Sequence, residues 1–279
     1  MSSSFITDKT IIVDHLSFGD DLKDISFTIQ KGEFAAIIGD SDSGLKSVLK
    51  IISGLEKPSS GFVSVLGFDP YLKTQDYLKN ITFLSRESSQ ILKNSPPIDS
   101  LEITKEIYGL SDREFNKNLT ELTQFIKDPL LLDSLIFKPK VLLLDKINLD
   151  LDSIYEYNKK YESTNLITSE KIDHLMNLVR RVIILDKGSI VFDGAIDEVI
   201  TKFAKEKVIK AKLSSTTDVK LFTEFGSVKK YDFPYLHISA PRTTVSFTAA
   251  EMIQNLPINN LIIEEISVEE IIKNIKNGI

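Results

Sequence analysis

The sequence predicts an α/β domain built on a parallel sheet, followed by a smaller α+β domain. Three stretches carry this prediction: FAAIIGDSDSGLKSVLKIISGL at 34–55, KPKVLLLD at 138–145 and VIILDKGSIVFDG at 182–194. The first is typical of strand, turn and helix, because apolar residues recur at helical spacing after a glycine-containing turn. The second is short, almost wholly apolar and ends in a carboxylate, which indicates a strand buried on both faces of a parallel sheet. The third indicates two strands joined by a tight turn.

Composition narrows the classes of protein to consider. The chain has 279 residues, 42% of them hydrophobic and 27% charged, a formal net charge of -6 and no cysteine. An acidic chain cannot neutralise a phosphate backbone, so nucleic acid is not expected as a partner. No disulfide or thiolate metal site can form. The start of the chain lacks a signal-peptide pattern, and the apolar runs are far shorter than the roughly 20 residues that cross a bilayer, so membrane contact is expected only through partners.

The segments around these stretches complete the predicted α/β domain. Residues 11–37 predict a small antiparallel sheet, and FVSVLG and ITFLSR at 81–86 each predict a further strand. The pattern between about 90 and 137 changes to helix, with Ser111 and Glu114 spaced as a capping box. After the buried strand, NLITS predicts a strand and residues 170–180 predict a helix.

The texture of the sequence changes again near residue 203. Short segments there alternate as strand, helix, strand, strand, helix and strand, and SVEEIIKNIKNG adds a last helix. That order is the split βαβ arrangement of a ferredoxin-like α+β domain. The expected domains are therefore residues 1–202 and 203–279.

Taken in this order, the motifs resemble the nucleotide-binding subunit of an ATP-binding cassette (ABC) transporter. The segment YGLSDREFNKNL and the ending LIIEEISVEEIIKNI resemble subunits of exporters of drugs, lipids or polysaccharides. The resemblance implies the fold of P-loop NTPases, in its ABC ATPase form, with an antiparallel β subdomain and a reduced helical subdomain. It also implies ATP and magnesium as ligands, a membrane permease as partner and a second ABC ATPase subunit, in a homodimer or a heterodimer.

The phosphate loop departs from the template of Gly, four residues, Gly, Lys and Ser or Thr. Gly39 and Gly44 are correctly separated, but Leu45 occupies the lysine position and Lys46 the hydroxyl position. A shift of one residue on a helix rotates a side chain by about 100°, so neither Lys46 nor Ser47 is expected to replace the missing groups.

Charge also opposes phosphate binding in this loop. Asp40 and Asp42 place carboxylates where backbone N–H groups should face an anion. A like charge within about 4 Å of a phosphate costs several kcal/mol at intermediate dielectric. Phe18 is the candidate for the aromatic residue that stacks on adenine in the family, and a core phenylalanine on a strand is the equally weighted alternative.

The positions that the resemblance assigns to hydrolysis are also changed. Arg86 stands where the family has a glutamine that senses the γ-phosphate, and Lys146 stands where it has the glutamate base. A charged lysine cannot accept a proton from an attacking water. Glu170 replaces the switch histidine, whereas Asp145 and Asp152 keep the carboxylates of the magnesium strand and the subunit-contacting loop.

The family's Leu-Ser-Gly-Gly-Gln signature is missing. The chain contains no Gly-Gly pair, and residues 122–125 are the nearest alignment, so a loss of one helical turn or more is expected around 122–135. His15, His174 and His237 are too scattered in the sequence for a metal site, and none is predicted.

These changes predict a catalytically degenerate subunit, a pseudo-ATPase with no bound cofactor, peripheral at the inner face of the plasma membrane. It would dock on a permease and pair with a second nucleotide-binding subunit. Any nucleotide binding would be vestigial and would use Phe18, Gly39, Gly44, Lys46, Ser47, Asp145 and Asp152. Two alternatives stay open: a weakly active ATPase whose loop works in a shifted register, and an interaction or scaffold module that does not serve transport.

Overall fold

A computed structural model describes residues 8–40, 42–85, 97–145, 150–172 and 175–277. Contacts along the backbone divide the chain into two compact units. The first contains residues 1–170 and 177–193, and the second contains residues 171–176 and 194–279. That residues 203–279 fold as an independent domain stays a prediction.

The first unit contains two sheets. An antiparallel sheet has the order β2-β1-β4, formed by β1 (Lys9–Phe18), β2 (Leu22–Gln30) and β4 (Ser60–Val65). A six-stranded sheet has the order β5-β6-β7-β3-β8-β9, formed by β3 (Phe34–Ile38), β5 (Ile81–Ser85), β6 (Val141–Asp145), β7 (Thr164–Ser169), β8 (Arg181–Asp186) and β9 (Ser189–Ala195). All five residues of β6 are buried, which confirms the predicted buried parallel strand.

Helices connect these strands. They are α1 (Leu45–Ile52), α2 (Gln75–Leu78), α3 (Pro97–Tyr108), α4 (Asp112–Leu122), α5 (Pro129–Leu135) and α6 (Leu151–Tyr161), with a 3-10 helix at Pro70–Leu72. Helix α7 (Ile196–Lys202) follows β9 and belongs to the second unit. The predicted capping box is confirmed, since Ser111 and Glu114 exchange side-chain and backbone hydrogen bonds at the start of α4.

The helix predicted over 170–180 is wrong for the residues that the structure describes there, 170–172 and 175–180. Residues 175–178 form a turn, in which the N–H of Leu175 donates to the carbonyl of Ile172 at 3.0 Å. Ile172, Leu175 and Val179 are all buried, so a packed turn produces the apolar spacing that suggested a helix.

One hydrophobic core fixes the position of α1 in the first unit. Leu45, Val48, Leu49, Ile51 and Ile52 belong to the same buried cluster as residues of β1, β2 and β4 and of the six-stranded sheet. Helix α1 therefore lies between the two sheets, and its amino end is held where β3 ends.

The second unit contains an antiparallel four-stranded sheet. Its elements are β10 (Glu206–Leu213), α8 (Val219–Phe222), β11 (Ser227–Asp232), β12 (Tyr235–Pro241), α9 (Val245–Asn255), β13 (Ile258–Glu265) and α10 (Val268–Asn277). The strand order is β11-β12-β10-β13, and α9 packs against one face through Val245, Ala249 and Met252. This order confirms the split βαβ, ferredoxin-like arrangement.

Candidate functional site

The candidate site lies at the edge where four parallel strands end. The register aligns Ser85 with Asp145, Asp145 with Thr168, and Ile38 with Ser169, so β5, β6, β7 and β3 end side by side. The loop 39–44 follows β3 at this edge, and Glu170, which is exposed, follows β7. Arg86, Lys146 and His174 lie outside the described residues.

The loop after β3 folds back on its own first carboxylate. Asp40 Oδ1 accepts the N–H of Asp42 at 3.1 Å, and the carbonyl of Asp40 accepts the N–H of Ser43 at 3.3 Å. The Ser43 hydroxyl also donates to that carbonyl at 2.7 Å, and Ser43 is fully buried. A phosphate-binding loop needs its N–H groups to converge on the ligand, whereas these two N–H groups are satisfied inside the loop.

The turn between β1 and β2 closes over the same loop. Gly44 has φ +91, and a Cβ there would lie 2.4 Å from the carbonyl oxygen of Asp21. Gly188, in the turn between β8 and β9, approaches the same oxygen, with 2.5 Å for its own Cβ. The N–H of Gly188 donates to the carbonyl of Ser43 at 3.2 Å. Three turns are therefore packed into one structure, and glycine is required at both contacts with Asp21.

The first turn of α1 contains Leu45 and Lys46, the residues at the predicted lysine and hydroxyl positions of the template. Leu45 is 1% exposed and belongs to the main core, while Lys46 is exposed. Ser47 is buried, and its hydroxyl donates to Asp21 Oδ2 at 2.6 Å. A carboxylate near a helix amino end is stabilised by the helix dipole, so the protein's own Asp21 supplies the negative charge there.

Asp21 was missed by sequence reasoning. It follows Asp20 in the short polar turn GDDL, and nothing in the sequence links that turn to Ser47, which lies 26 residues further on. An acidic turn after a strand is typical of a solvated hairpin, so only the packing of the two elements reveals the contact.

Of the other predicted nucleotide-binding residues, two are packed into the fold and one is exposed. Phe18 is half-buried and packs against the main core. Asp145 is buried, and its Oδ1 accepts the hydroxyl of Thr168 at 2.7 Å. Asp152 is exposed in the first turn of α6, which is capped by the preceding Asp150. Phe18 and Asp145 are thus packed into the fold, Asp152 is exposed, and a role of any of the three toward a nucleotide stays a prediction.

The position aligned with the missing signature is a turn packed against α6. Helix α4 ends at the fully buried Leu122, and residues 123–125 form the turn. The carbonyl of Phe125 accepts the hydroxyl of Ser153 at 2.8 Å. Helix α5 begins only at Pro129 and is seven residues long. A hydrogen bond to α6 therefore fixes this segment.

Metal-ligating groups do not gather at this edge or elsewhere in the described part of the chain. No group of three or more His, Asp or Glu residues there has the arrangement to hold a metal ion. His15 pairs with Asp24, with 2.7 Å between Nδ1 and the carboxylate, and this raises the pKa of the imidazole. His237 belongs to β12 in the second unit, where burial, followed by Lys210 and Lys230, lowers its pKa.

Comparison with known proteins finds similarity to the ATP-binding subunits of ABC transporters. A family profile described as "ABC transporter" matches residues 22–147. The ABC transporter ATP-binding protein NatA of Bacillus subtilis is 23% identical over 202 residues, which are 63% of this chain and 82% of the relative. The methionine import ATP-binding protein MetN of Aliivibrio fischeri is 24% identical over 281 residues, covering 89% of this chain and 79% of the relative.

Solved structures share the fold of about 70% of the chain. The ATP-binding subunit of an ABC transporter superposes with a TM-score of 0.59 at 20% identity, over 70% of this chain and 93% of that chain. A nucleotide-free ATP-binding cassette gives a TM-score of 0.57 at 18% identity, over 69% of this chain and 94% of that chain. These superpositions confirm the predicted P-loop NTPase fold of the ABC ATPase type.

Proposed function

Because this chain belongs to the family of ABC transporter ATP-binding subunits, we propose that it serves a transporter as a pseudo-ATPase. It keeps the cassette fold as a docking and pairing surface and does not use ATP hydrolysis of its own. The loop 39–47 then acts as a structural connection between β3 and α1.

The state of the phosphate loop carries this proposal. The N–H groups of Asp42 and Ser43 bond to Asp40, the lysine position is a core leucine, and the hydroxyl of Ser47 bonds to Asp21. Binding a nucleotide here in the family's mode would break these hydrogen bonds and bring phosphates beside two carboxylates. The residues present therefore do not fit ATP and magnesium in that mode.

The residue that follows β6 in the sequence supports the same conclusion for ATP hydrolysis. Lys146 follows the buried Asp145 where the family has its glutamate base. A protonated lysine has no lone pair to accept a proton from water, and its charge disfavours the departure of that proton. Turnover would therefore be lost even if a nucleotide bound weakly.

We assign the partners by the family to which the chain belongs. The partners are a membrane permease and a second ABC ATPase subunit, in a homodimer or a heterodimer at the cytoplasmic face of the membrane. None of the described helices is long and apolar enough to span a membrane. We propose an exporter-type complex from the resemblance of YGLSDREFNKNL and the chain's ending, and the name of one relative, a methionine import protein, marks the alternative direction.

Calorimetry with MgATP on the purified full chain tests the proposal. We expect no heat of binding into the millimolar range, and the same result for Lys46→Ser, which restores a hydroxyl but leaves Leu45 in place. A variant combining Asp42→Gly, Leu45→Lys and Lys46→Ser restores the template at the cost of the buried Leu45, and when circular dichroism shows it folded it is expected to gain binding. Micromolar affinity of the unaltered chain would contradict the pseudo-ATPase assignment.

A turnover assay separates the weak-ATPase alternative. Phosphate release is expected to stay at background for the unaltered chain and to appear only when Lys146→Glu is added to the template-restoring variant. Phosphate release by the unaltered chain, lost again when Asp145→Asn is introduced, would assign it as a weak ATPase.

A further inference from the structure

The two edges of the four-stranded sheet in the second unit differ in how they are protected. Edge strand β11 carries Lys229, Lys230 and Asp232, and its register with β12 shifts between Val228 and Lys230. Charged side chains, lysine above all, and irregularities of this kind prevent edge strands from pairing with other chains. The β11 edge is thus protected in two ways.

The opposite edge, β13, carries charged side chains only at its end, in Glu264 and Glu265. It is eight residues long with the sequence INNLIIEE, and it pairs with β10 in unbroken register from Asn260 to Glu265. It contains no lysine and no proline, and Ile262 is 51% and Ile263 36% exposed. No other described strand pairs with its outer side. A long, regular, apolar edge of this kind is a surface for strand addition.

We propose that β13 pairs antiparallel with β13 of a second copy of this chain. The two four-stranded sheets would join into one continuous sheet across a two-fold axis. This pairing surface lies in the second unit, goes beyond the proposed function and does not depend on nucleotide binding or its absence.

The sequence of β13 is complementary to itself in one register. A two-fold axis perpendicular to the sheet sets residues of the same face opposite each other. The axis must therefore lie midway between the two copies of one residue, which is the central residue of that register. When Ile262 is the central residue, it faces Ile262 of the partner copy, and Leu261 faces the partner's Ile263. Asn260 then faces the partner's Glu264, where an amide N–H can donate to a carboxylate.

The neighbouring registers place carboxylates against apolar groups. The register centred on Leu261 sets Glu264 opposite the partner's Ile258. The register centred on Ile263 sets Glu264 opposite the partner's Ile262. A carboxylate that loses water without gaining a hydrogen bond destabilises such a pair. Only the register centred on Ile262 matches apolar with apolar and carboxylate with amide.

The charges of β13 are already balanced within each copy. Glu264 pairs with Lys210, and Glu265 pairs with Lys207 and Arg242. The new pairing would therefore not bring uncompensated carboxylates together, as a strand ending in two glutamates otherwise might suggest. Antiparallel pairing also keeps the two acidic ends at opposite ends of the interface.

Thiol cross-linking tests the register, and the chain has no cysteine to interfere. Opposite residues in an antiparallel pair have Cα atoms about 4.5 to 5.5 Å apart, within the range that a disulfide spans. We expect oxidised Ile262→Cys to form a covalent dimer. The control is Tyr235→Cys, because Tyr235 is 53% exposed but lies on the inner strand β12. It should stay monomeric on a denaturing gel.

Sedimentation of the full chain without nucleotide tests the interface. We expect the unaltered chain to form a dimer, Ile262→Lys to weaken it by about tenfold or more, and Tyr235→Lys to leave it unchanged. Circular dichroism checks that each variant is folded. A monomeric unaltered chain, a dimer insensitive to Ile262→Lys, or equal cross-linking at both positions would overturn the proposal.

Discussion

The loop between β3 and α1 and the parallel sheet next to it differ in how far their residues are buried. Strands β3 and β6 are buried along their whole length, in the apolar pattern that a parallel sheet requires. The loop between β3 and α1 is buried only in part: Ser43 and Leu45, the first residue of α1, are buried, whereas Asp42 is exposed. The comparison teaches that the buried part of the loop belongs to the core and that packing explains its side chains.

The largest effect is expected from Leu45, which decides whether the loop is part of the core. Leu45→Ala should lower the free energy of unfolding by roughly 3 kcal/mol, because a buried leucine is removed and a cavity remains. Denaturant titration measures this, with Leu72→Ala as the control at a leucine that is 68% exposed. A loss for Leu45→Ala no larger than that of the control would mean that this side chain is not part of the core.

A second test concerns the contact between Gly44 and the β1–β2 turn. Gly44→Ala should destabilise the protein by roughly 2 to 3 kcal/mol, since it adds backbone strain at positive φ and a clash with the Asp21 carbonyl. Gly67→Ala is the matched control, because its φ is +83 and nothing lies within 4 Å of its Cβ. The control should lose only the strain, about 1 kcal/mol. Equal losses in thermal unfolding would show that the turn does not close over the loop.

A smaller effect is expected from the hydrogen bond between Ser47 and Asp21. Ser47→Ala should cost roughly 1 kcal/mol, because the buried helix start loses a hydrogen bond to a carboxylate. A double-mutant cycle with Asp21→Ala isolates the pair, and the two losses should be less than additive by about the same amount. Full additivity would show that the two side chains do not interact in solution.

The sequence was sufficient for the parts of the fold that depend on local patterns. The strand, loop and helix of 34–55, the buried strand β6 and the capping box at Ser111 were all predicted, because each follows from spacing within a few residues. The helix expected over 170–180 was wrong because apolar spacing alone does not separate a helix from a packed turn.

The candidate site could be predicted only in part. The sequence template predicts which chemical groups the loop lacks, since Leu45 and Lys46 stand at fixed positions of that template. It does not show what takes their place, because the contact of Ser47 with Asp21 joins elements that only the tertiary fold brings together. Asp40 accepts hydrogen bonds from the N–H groups of Asp42 and Ser43. These bonds depend on the conformation of the loop, which a rule about residue spacing does not describe.

A carboxylate of the helical segment, Asp133, is buried, whereas Asp40 and Asp42 of the loop are more accessible to water. Asp133 on α5 is 8% exposed, and the hydroxyl of Thr104 on α3 donates to its carboxylate at 2.7 Å. Burial raises the pKa of Asp133 above its ordinary value of 3.8, an effect that the hydrogen bond from Thr104 only partly offsets. The ionised form of this side chain therefore costs folding free energy at neutral pH.

Asp133→Asn should raise the free energy of unfolding at pH 7 by at most roughly 1 kcal/mol, because it removes a buried charge and keeps an acceptor for Thr104. The unaltered protein gains stability as the pH falls through the raised pKa, so the advantage of the variant should shrink there and vanish below 3.8. Asp112→Asn is the control, because Lys105 lowers the pKa of the exposed Asp112 and its ionised form is favoured. Thermal unfolding across pH measures both, and an advantage of Asp133→Asn that persists unchanged below 3.8 would show that charge burial is not its cause.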